Sequence, residues 1–526
     1  MDEGKTPGFL ERRWTFALLC LGVLACGFRI AAALSIWSLP EAYLLNADSA
    51  DYHRYALYVA GLADGEMPAV FWFSPLTIFW GALWHSLFGP SVWAVIAAQV
   101  LLGTATTALV AAIGRAVYNA SAGLVAGLLA AVLKPFLVYD VAILSTSLTV
   151  FLSALVIWSC LWAVRRASPG RCAALGLVLG LWIACRPNMA VFVPVALLLV
   201  WSASRSFSLR IRAASGLAVV AAAALVIAPV TISNAVRGGV FVPVTSAAGI
   251  NLFIGNNQGA KGHPTPVFGE RTAAQALEVF SRRAEAATGR RLDVAELSSF
   301  WAGQAWREVA DDPQRFLVLL GKKTVYAVND FEIPDSWSIP FLEREIPFVS
   351  LPFPGFGVVF PLGLIGLVVI WRRRVPGARA VHGVAAASIA TLLLFFALDR
   401  HRAPFTVALT VGAGVFAAWV AGIVSELRLQ ERWKERRARV AKLAAAVAVT
   451  AVLSIAAHLP ILHDVPTEEL ERLASACEKE GRHDEAMLHF RRAMALYEAG
   501  GDVPAAARVE GELARIRRDA RGESPR

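Results

Sequence analysis

Residues 16–37 read FALLCLGVLACGFRIAAALSIW, an apolar run of about the 20 residues that an α-helix needs to cross a lipid bilayer. The run is longer than the apolar core of a secretory signal peptide, and no small-residue cleavage site follows it. Lys5, Arg12 and Arg13 precede it. Because positive charge collects on the cytoplasmic side of membrane spans, the sequence predicts an uncleaved first span and a cytoplasmic N-terminus.

The whole chain has the composition of a membrane protein. Of its 526 residues, 57% are hydrophobic and 17% are charged, whereas a soluble domain has about 45–50% apolar and about 25% charged residues. The formal net charge of +10 would also suit nucleic-acid binding. We exclude that partner because most basic clusters lie between apolar runs, where membrane topology requires them.

The six cysteines indicate neither a disulfide framework nor a zinc site. None of them forms a CxxC pair, and five lie in or beside apolar runs. We expect them to act as small buried hydrophobic residues.

The remaining apolar runs predict an all-α integral membrane protein with about 11 transmembrane helices. Four basic loops, at 165–171, 205–212, 372–379 and 428–442, all fall on the cytoplasmic side if the chain threads the membrane in this way. The predicted spans are 16–38, 92–114, 121–139, 144–164, 172–185, 189–204, 213–233, 353–371, 380–398, 404–424 and 443–461.

Two details follow from the alternation of sides. The loops 165–171 and 205–212 share a side only if the chain between them crosses twice, and Arg186-Pro187-Asn188 supplies a break at the midpoint. The segment 73–88 is short for a span and contains a proline and a histidine. As a full span it would also place Arg115 on the outer side of the membrane. We interpret it as a juxtamembrane or half-inserted helix.

The chain divides into a membrane domain, residues 1–465, and a small tail, residues 466–526. The membrane domain has two long outer loops, at about 40–72 and 234–352. In the tail, Gly481, Ala486, Phe490 and Ala493 have the spacing of a tetratricopeptide helix pair. One such unit buries little of its own surface, so we expect it to pack on the outer loops or on a protein partner. A plain helical hairpin is the alternative.

The first outer loop carries two carboxylates directly after the first span. Asp48 and Asp51 are three residues apart and share a face on a helix. At the water boundary, such a carboxylate can act as a general base toward a hydroxyl group or hold a divalent metal. Simple solvated acids are the alternative.

Further charged groups lie at the ends of other predicted spans, on the same predicted side of the membrane as Asp48. Charges at membrane depth are costly and by default indicate a functional site. Several cations beside one or two carboxylates at the lipid boundary suit a lipid-linked phosphate. The alternatives are that Lys134 extends along the apolar surface to water and that Arg400 pairs with Asp399. The residues of this set are Lys134, Asp140, Arg186, Asp399, Arg400, His401 and Arg402.

Several motifs together resemble the polytopic glycosyltransferases of the GT-C superfamily over roughly residues 10–425. The likeness is greatest to bacterial members of glycosyltransferase family 39, which are relatives of protein O-mannosyltransferases and of the aminoarabinose transferase of lipid A. The motifs are DSADY at 48–52, AGLADG at 60–65, FSPL at 73–76, LFGPS at 87–91, RPN at 186–188, GNN at 255–257 and DRHRAP at 399–404.

The resemblance implies a polyprenyl-phosphate sugar donor and inverting transfer to an acceptor on the outer face. Asp48 takes the position of the family's catalytic aspartate, and Asp140 lies near a second outer-face acid of many relatives. Two departures, Ser49 in place of a glutamate and His401 in place of a tyrosine, affect donor and metal details. No organic cofactor is expected, and the metal requirement stays open.

The sequence therefore predicts a membrane glycosyltransferase in a bacterial cytoplasmic membrane, with the tail outside. Its site residues are expected to have three roles: acid–base catalysis, binding of the donor phosphate and binding of the sugar or acceptor. Asn256 and Asn257 have the alternative of simply building a turn. The candidates, in the order of those roles, are Asp48, Asp140 and Asp51; Arg400, Arg402, Arg186 and Lys134; and Asn256, Asn257 and Tyr52.

Two other functions use the same features. A transporter or flippase of a lipid-linked substrate would need the same charges at membrane depth, although the two halves of the chain lack matching broken spans. A non-catalytic assembly scaffold would use the tail as its binding module. Neither the donor sugar nor the acceptor follows from the sequence.

Overall fold

A computed structural model describes residues 9–43, 45, 47–166, 168–270, 272–429, 433–461 and 467–520. Lys5 of the predictions above lies outside these residues, as do 462–466, at the boundary of the tail, and 521–526. The described residues form α-helices, one 3₁₀-helix and connections, without a β-strand. The predicted all-α class is confirmed.

The N-terminal quarter contains the first span and the predicted first outer loop. The segment 73–88, predicted as half-inserted, is a 14-residue helix whose N-cap Ser74 accepts a hydrogen bond from the Thr77 amide. Its length is too short for a span. The helices here are α1 (Phe9–Arg12), α2 (Trp14–Ile36), α3 (Pro40–Tyr43), α4 (Ala47–Val59) and α5 (Pro75–Phe88).

Seven α-helices and a 3₁₀-helix follow between residues 92 and 238. The predicted span 121–139 is interrupted at Leu133, because Pro135 stands in the first turn of a new short helix. The break at Arg186 is present, followed by a 3₁₀-helix, Pro187–Phe192. The helices are α6 (Val92–Val117), α7 (Ala120–Val132), α8 (Lys134–Tyr139), α9 (Thr146–Arg165), α10 (Pro169–Cys185), α11 (Val193–Ala203) and α12 (Leu209–Gly238).

The 234–352 segment is helical and amphipathic rather than apolar. Its longest helix begins with a capping box, in which Asp293 and Glu296 satisfy each other's backbone amides. The helices are α13 (Ala248–Asn256), α14 (Ala273–Thr288), α15 (Val294–Asp311), α16 (Pro313–Val328) and α17 (Ile339–Glu345).

Four further spans and three tail helices complete the chain. The last spans are α18 (Phe356–Arg373), α19 (Arg379–Leu394), α20 (Asp399–Leu429) and α21 (Trp433–Ala457). The tail is α22 (Thr467–Lys479), α23 (His483–Ala499) and α24 (Val503–Ala520).

The helices account for the predicted number of spans. Among the described residues, seven helices are long and apolar enough to cross a membrane, and four apolar stretches of 10–17 residues are shorter. Together they correspond to the 11 predicted spans and make the chain a multi-pass membrane protein. The four shorter ones are 120–132, 169–185, 187–203 and 379–394.

Small residues allow the spans to approach one another closely. A β-carbon on Gly363 or Gly366 of α18 would collide with the backbone of Leu409 or Gly412 in α20. A β-carbon on Gly176 of α10 would collide with α12 in the same way. Close backbone contact of this kind drives helix association in lipid, where apolar side chains gain little from leaving the acyl chains.

The tail packs on the membrane domain. Buried Leu470 and Leu473 of α22 belong to one apolar cluster with Trp337 and Phe341 of the 234–352 segment. Arg492 of α23 adds an ion pair with Glu345 at 3.1 Å. The expectation that the tail packs on the outer loops therefore agrees with the structure. Its tetratricopeptide character stays a prediction.

One ion pair lies inside the bundle. Arg29 of α2 is 0% exposed, and its Nε donates to Asp140 Oδ2 at 2.7 Å. Ser147 donates to the other carboxylate oxygen at 2.9 Å. Gly103 of α6 lies against the pair, where a β-carbon would overlap both side chains. Only glycine leaves room for a matched charge pair at this point.

Replacement of Gly103 by alanine is expected to destabilise the protein by about 3 kcal/mol, since separating a buried ion pair leaves charges uncompensated. Thermal unfolding in detergent would measure the effect. Gly27→Ala in α2 is the matched control, because nothing lies within 4 Å of a β-carbon there. Equal melting temperatures of both variants would contradict the assigned role of Gly103.

Candidate functional site

Asp48 lies in the first turn of α4, just after the end of the first span. At the start of this helix, Leu45 and Ala47 have positive φ angles of 48°. Such backbone conformations are uncommon outside glycine and concentrate at functional sites. The Asp48 side chain is 25% exposed, and its Oδ2 accepts a hydrogen bond from Arg400 Nη2 at 2.8 Å.

Arg400 joins Asp48 to a second carboxylate. It lies in the first turn of α20, and the same Nη2 atom forms an ion pair with Asp335. Asp335 belongs to the connection between α16 and α17. Burial raises the pKa of the Asp335 carboxyl, while the neighbouring Arg400 opposes that rise. The two acids converge on one guanidinium from distant parts of the chain.

Asp335 was not among the predicted site residues. It lies in the stretch Pro334-Asp335-Ser336 of the long 234–352 segment. That segment contains several other acidic residues. Nothing in its spacing to Asp48 or Arg400 marks it, because only the fold brings these residues together.

Arg186 lies beside Arg400. Its Nη1 donates to the Arg400 backbone carbonyl at 3.1 Å, and the residue is buried. Burial and the nearby Arg400 charge lower the pKa of Arg186 to about 10, so the group remains a cation at neutral pH. Two adjacent guanidinium groups repel each other, and an anion placed between them would relieve that repulsion.

The Nε atom of Arg400 is buried and has no hydrogen-bond partner within the described residues. A buried donor without a partner typically costs about 1–3 kcal/mol. Together with the adjacent Arg186, this open donor provides a place for a phosphate or carboxylate oxygen. We call the end of the bundle that carries Asp48, Asp335, Arg186 and Arg400 the site face.

Tyr52 forms a wall next to Asp48. Its side chain is buried, its ring packs on Phe73 with centroids 5.3 Å apart, and its hydroxyl oxygen accepts from the Ser74 amide at 3.4 Å. Burial and the Asp48 charge raise the pKa of the phenol. Asp51 pairs with Arg54 on the same helix, and partial burial raises its pKa.

The structure gives other partners to two predicted site residues. Asp140 is enclosed with Arg29 and Ser147, so its carboxylate is already matched and buried. The Lys134 ammonium pairs with Glu343 of α17. Neither side chain contributes an open group to the cluster around Arg400.

Arg402 holds a segment of backbone. Its guanidinium donates to the carbonyls of Asn329 and Phe331 and pairs with Glu332. The guanidinium also lies 4.0 Å from the centroid of the Phe356 ring. These contacts fasten the connection that carries Asp335, a few residues farther along.

The neighbours of Arg400 in the DRHRAP motif are also engaged. Asp399 accepts hydrogen bonds from the Tyr139 hydroxyl and the Arg400 amide. The His401 ring stacks on Phe396 with centroids 5.4 Å apart. The motif thus supplies one side chain, that of Arg400, to the site.

Asn256 and Asn257 are bound to the protein itself. The Asn256 amide donates to the carbonyls of Leu252 and Leu394, and its Oδ1 accepts from Lys323 Nζ at 2.8 Å. The Asn257 amide also donates to backbone carbonyls, and its Oδ1 accepts from the Gly259 amide at 2.9 Å. This geometry favours the turn-building alternative for both.

Among the described residues, no group of three or more His, Cys, Asp and Glu side chains is placed to hold a metal ion. Asp48 and Asp335 are the two carboxylates that meet at the site. Mg²⁺ is commonly held by one or two carboxylates together with substrate phosphates.

One family model matches the chain. Residues 73–232 match the model described as dolichyl-phosphate-mannose-protein mannosyltransferase. The match covers α5 to most of α12 and confirms, over that stretch, the resemblance to family 39 glycosyltransferases. No curated protein matches the chain significantly.

The solved structures that resemble the chain include an archaeal oligosaccharyltransferase and a bacterial ArnT. The apo oligosaccharyltransferase of Archaeoglobus fulgidus is 14% identical over 91% of this chain and 60% of its own length, with a TM-score of 0.48. ArnT of Cupriavidus metallidurans bound to undecaprenyl phosphate is 18% identical over 77% of this chain and 80% of its own, with a TM-score of 0.33.

This chain therefore spans about three fifths of the length of the archaeal enzyme, as its 60% coverage indicates. Similarity at these scores supports neither a substrate nor a mechanism for the present protein.

Lys323 provides a test of the packing around Asn256. Burial lowers the pKa of Lys323 from 10.5 to about 7, so the unfolded chain binds more protons between those pH values. The buried lysine therefore lowers the free energy of unfolding at pH 7. This destabilisation decreases as the pH rises toward 10.5, by up to about 1.4 kcal/mol per pH unit.

We expect Lys323→Met to remove this pH dependence. Melting temperatures of parent and variant across pH 7–10 would measure it, and the parent should gain stability relative to the variant as the pH rises. Lys322→Met is the matched control because Lys322 is exposed. Parallel curves for the parent and Lys323→Met would refute the assignment.

Proposed function

We propose that this membrane protein, in which residues 73–232 match the dolichyl-phosphate-mannose-protein mannosyltransferase model, is a polyprenyl-phosphate-dependent glycosyltransferase. One observation carries the proposal. Asp48, a partly exposed carboxylate at the end of the first span, is fixed against Arg400, and Arg186 lies alongside. A base and two cations thus meet at the membrane boundary, which both a lipid-linked donor and an acceptor can reach.

Asp48 acts as the general base in this mechanism. Its carboxylate accepts the proton of an acceptor hydroxyl as that oxygen attacks the anomeric carbon of the sugar. The bond from the anomeric carbon to the phosphate oxygen breaks, and the polyprenyl phosphate leaves with the bonding electron pair. Attack from the face opposite the leaving group inverts the configuration at the anomeric carbon.

Arg400 and Arg186 stabilise the departing phosphate. The guanidinium of Arg400 keeps one nitrogen on the carboxylates of Asp48 and Asp335, while its Nε remains available to a phosphate oxygen. Fixed cations aimed at a developing negative charge lower the barrier more in a water-poor site than in water. Asp335 prevents Arg400 from turning away when the phosphate is absent.

We assign no phosphate contact to Arg402 or Lys134, since each already has carboxylate partners. Arg402 acts on the site through the backbone that carries Asp335. Tyr52 borders the place where the acceptor hydroxyl must approach Asp48. The transferred group is a hexosyl or pentosyl unit, and the acceptor is a protein, a lipid or a glycan.

The site face lies outside the cytoplasm in this proposal. The basic loops of the chain, among them 165–171 and 372–379, follow the opposite ends of the spans, and positive charge favours the cytoplasmic side. The N-terminus is then cytoplasmic, and the tail, which packs beside the site face, lies outside a bacterial inner membrane.

The Asp48→Asn variant is expected to lose at least about a hundredfold of sugar transfer, because the amide cannot take up the acceptor proton. The assay uses purified protein in lipid with a panel of polyprenyl-phosphate sugars and membrane extracts as acceptors. Asp64→Asn is the matched control, since Asp64 is an exposed acid of the same loop.

Equal transfer by the parent and Asp48→Asn would remove Asp48 from the mechanism and direct attention to Asp51. Transport of an intact lipid-linked sugar across the vesicle membrane, without transfer, would replace the enzyme with a flippase. Loss of cellular function on deletion of the tail, with Asp48→Asn silent, would indicate a scaffold.

A further inference from the structure

The outer face of α16 is unusual because it exposes apolar side chains. Leu319, Lys323 and Ala327, at intervals of four residues, are buried. On the opposite face, Leu317 and Val318 are 67% and 57% exposed, and Val325 is 40% exposed. A helix of a water-soluble segment normally exposes polar residues on its outer face. The outer face of α16, in contrast, carries these three exposed apolar side chains.

The buried face of α16 is fastened to the ends of two membrane spans. Lys323 Nζ donates to the carbonyl of Leu393, in the last turn of α19, at 3.0 Å. Asn329, directly after α16, donates through its amide to the carbonyls of Ala457 and Leu459 at the end of α21, at 2.8 and 2.9 Å.

These two anchor points define the orientation of the helix. Lys323 and Asn329 are six residues apart, which corresponds to about 9 Å along a helix axis. Both side chains donate to backbone carbonyls at the ends of spans on the site face. The C-terminal half of α16 therefore lies across the ends of α19 and α21, close to the plane of the membrane boundary.

The neighbouring span has a lipid-facing surface that reaches the same level. Val452, Ile455 and Leu459, at the end of α21, are 66%, 67% and 51% exposed. Because α21 is a membrane span, these side chains face acyl chains.

We propose that α16 is an interfacial helix whose apolar face, formed by Leu317, Val318 and Val325, is buried in the phospholipid leaflet on the site face. The exposed Lys322 lies at the edge of this face, from which an ammonium group can reach lipid phosphates. Trp306 of α15, 53% exposed, is an aromatic residue of the kind enriched at membrane interfaces.

Membrane contact at α16 has a consequence for the site. The chain continues from α16 into the connection that Arg402 holds and that carries Asp335. A leaflet that supports α16 also supports this connection. The inference concerns the position of the helix and does not depend on the proposed reaction.

The test uses full-length protein with Cys20 and Cys26 replaced by alanine, since the other four cysteines are buried. A fluorophore is attached at Val318→Cys and, in a second variant, at Val325→Cys. Ala287→Cys, exposed on α14 next to the exposed Arg290–Glu296 ion pair, is the matched control. Vesicles contain phosphatidylethanolamine and phosphatidylglycerol with nitroxide-labelled phosphatidylcholine as quencher, and iodide is the aqueous quencher.

We expect nitroxide lipid to quench the probes at 318 and 325 at least about threefold more than the probe at 287, with the reverse order for iodide. Iodide quenching that is equal at all three positions would overturn the proposal. Protection of positions 318 and 325 from both quenchers would overturn it as well, because the face would then be covered by protein, such as a second copy of the chain.

Discussion

A charge that leaves water must be matched by another charge or by aimed dipoles, and the site face depends on how this requirement is met at Arg400. One nitrogen of its guanidinium holds Asp48 and Asp335, and the backbone carbonyl of the same residue accepts from Arg186. Arg400 thereby joins four parts of the chain. They are the start of α4, the break between α10 and the 3₁₀-helix, the start of α20 and the 234–352 segment. The candidate base has a fixed position because its partner is fixed on a long span.

The same requirement explains residues that were expected to bind substrate and that instead bind the protein. Asp140 matches Arg29 inside the bundle, and Lys134 matches Glu343 at its edge. Arg402 is surrounded by backbone carbonyls and Glu332. These charges near the membrane boundary are structural in this arrangement, and they hold the elements around Arg400 in place. A cluster of charged residues in the sequence therefore indicates the site face of the protein. It does not show which of these charged residues is open to a ligand.

The 234–352 segment covers the ends of the spans as an ordered layer. Arg402, Lys323 and Asn329 fasten it to α20, α19 and α21, and the tail packs against its far side. If α16 also rests in the leaflet, the connection that carries Asp335 is held by protein on one side and by lipid on the other. Under the proposed function, the site would then be bordered by the lipid from which its donor comes.

The sequence by itself determined the class of the protein, the number of spans and most of their bounds, because runs of about 20 apolar residues have few alternatives in a membrane. It also contains the match of residues 73–232 to the dolichyl-phosphate-mannose-protein mannosyltransferase model, and it predicted that Asp48, Arg186 and Arg400 share one face through the alternation of sides. The tertiary structure alone decided which charges are neutralised. Asp335 and Arg29 became visible only there, as did the backbone partners of Asn256 and Asn257. The physical reason is that ion pairing depends on distances of about 3 Å between residues that lie far apart in the sequence, and no local pattern of the chain encodes such distances.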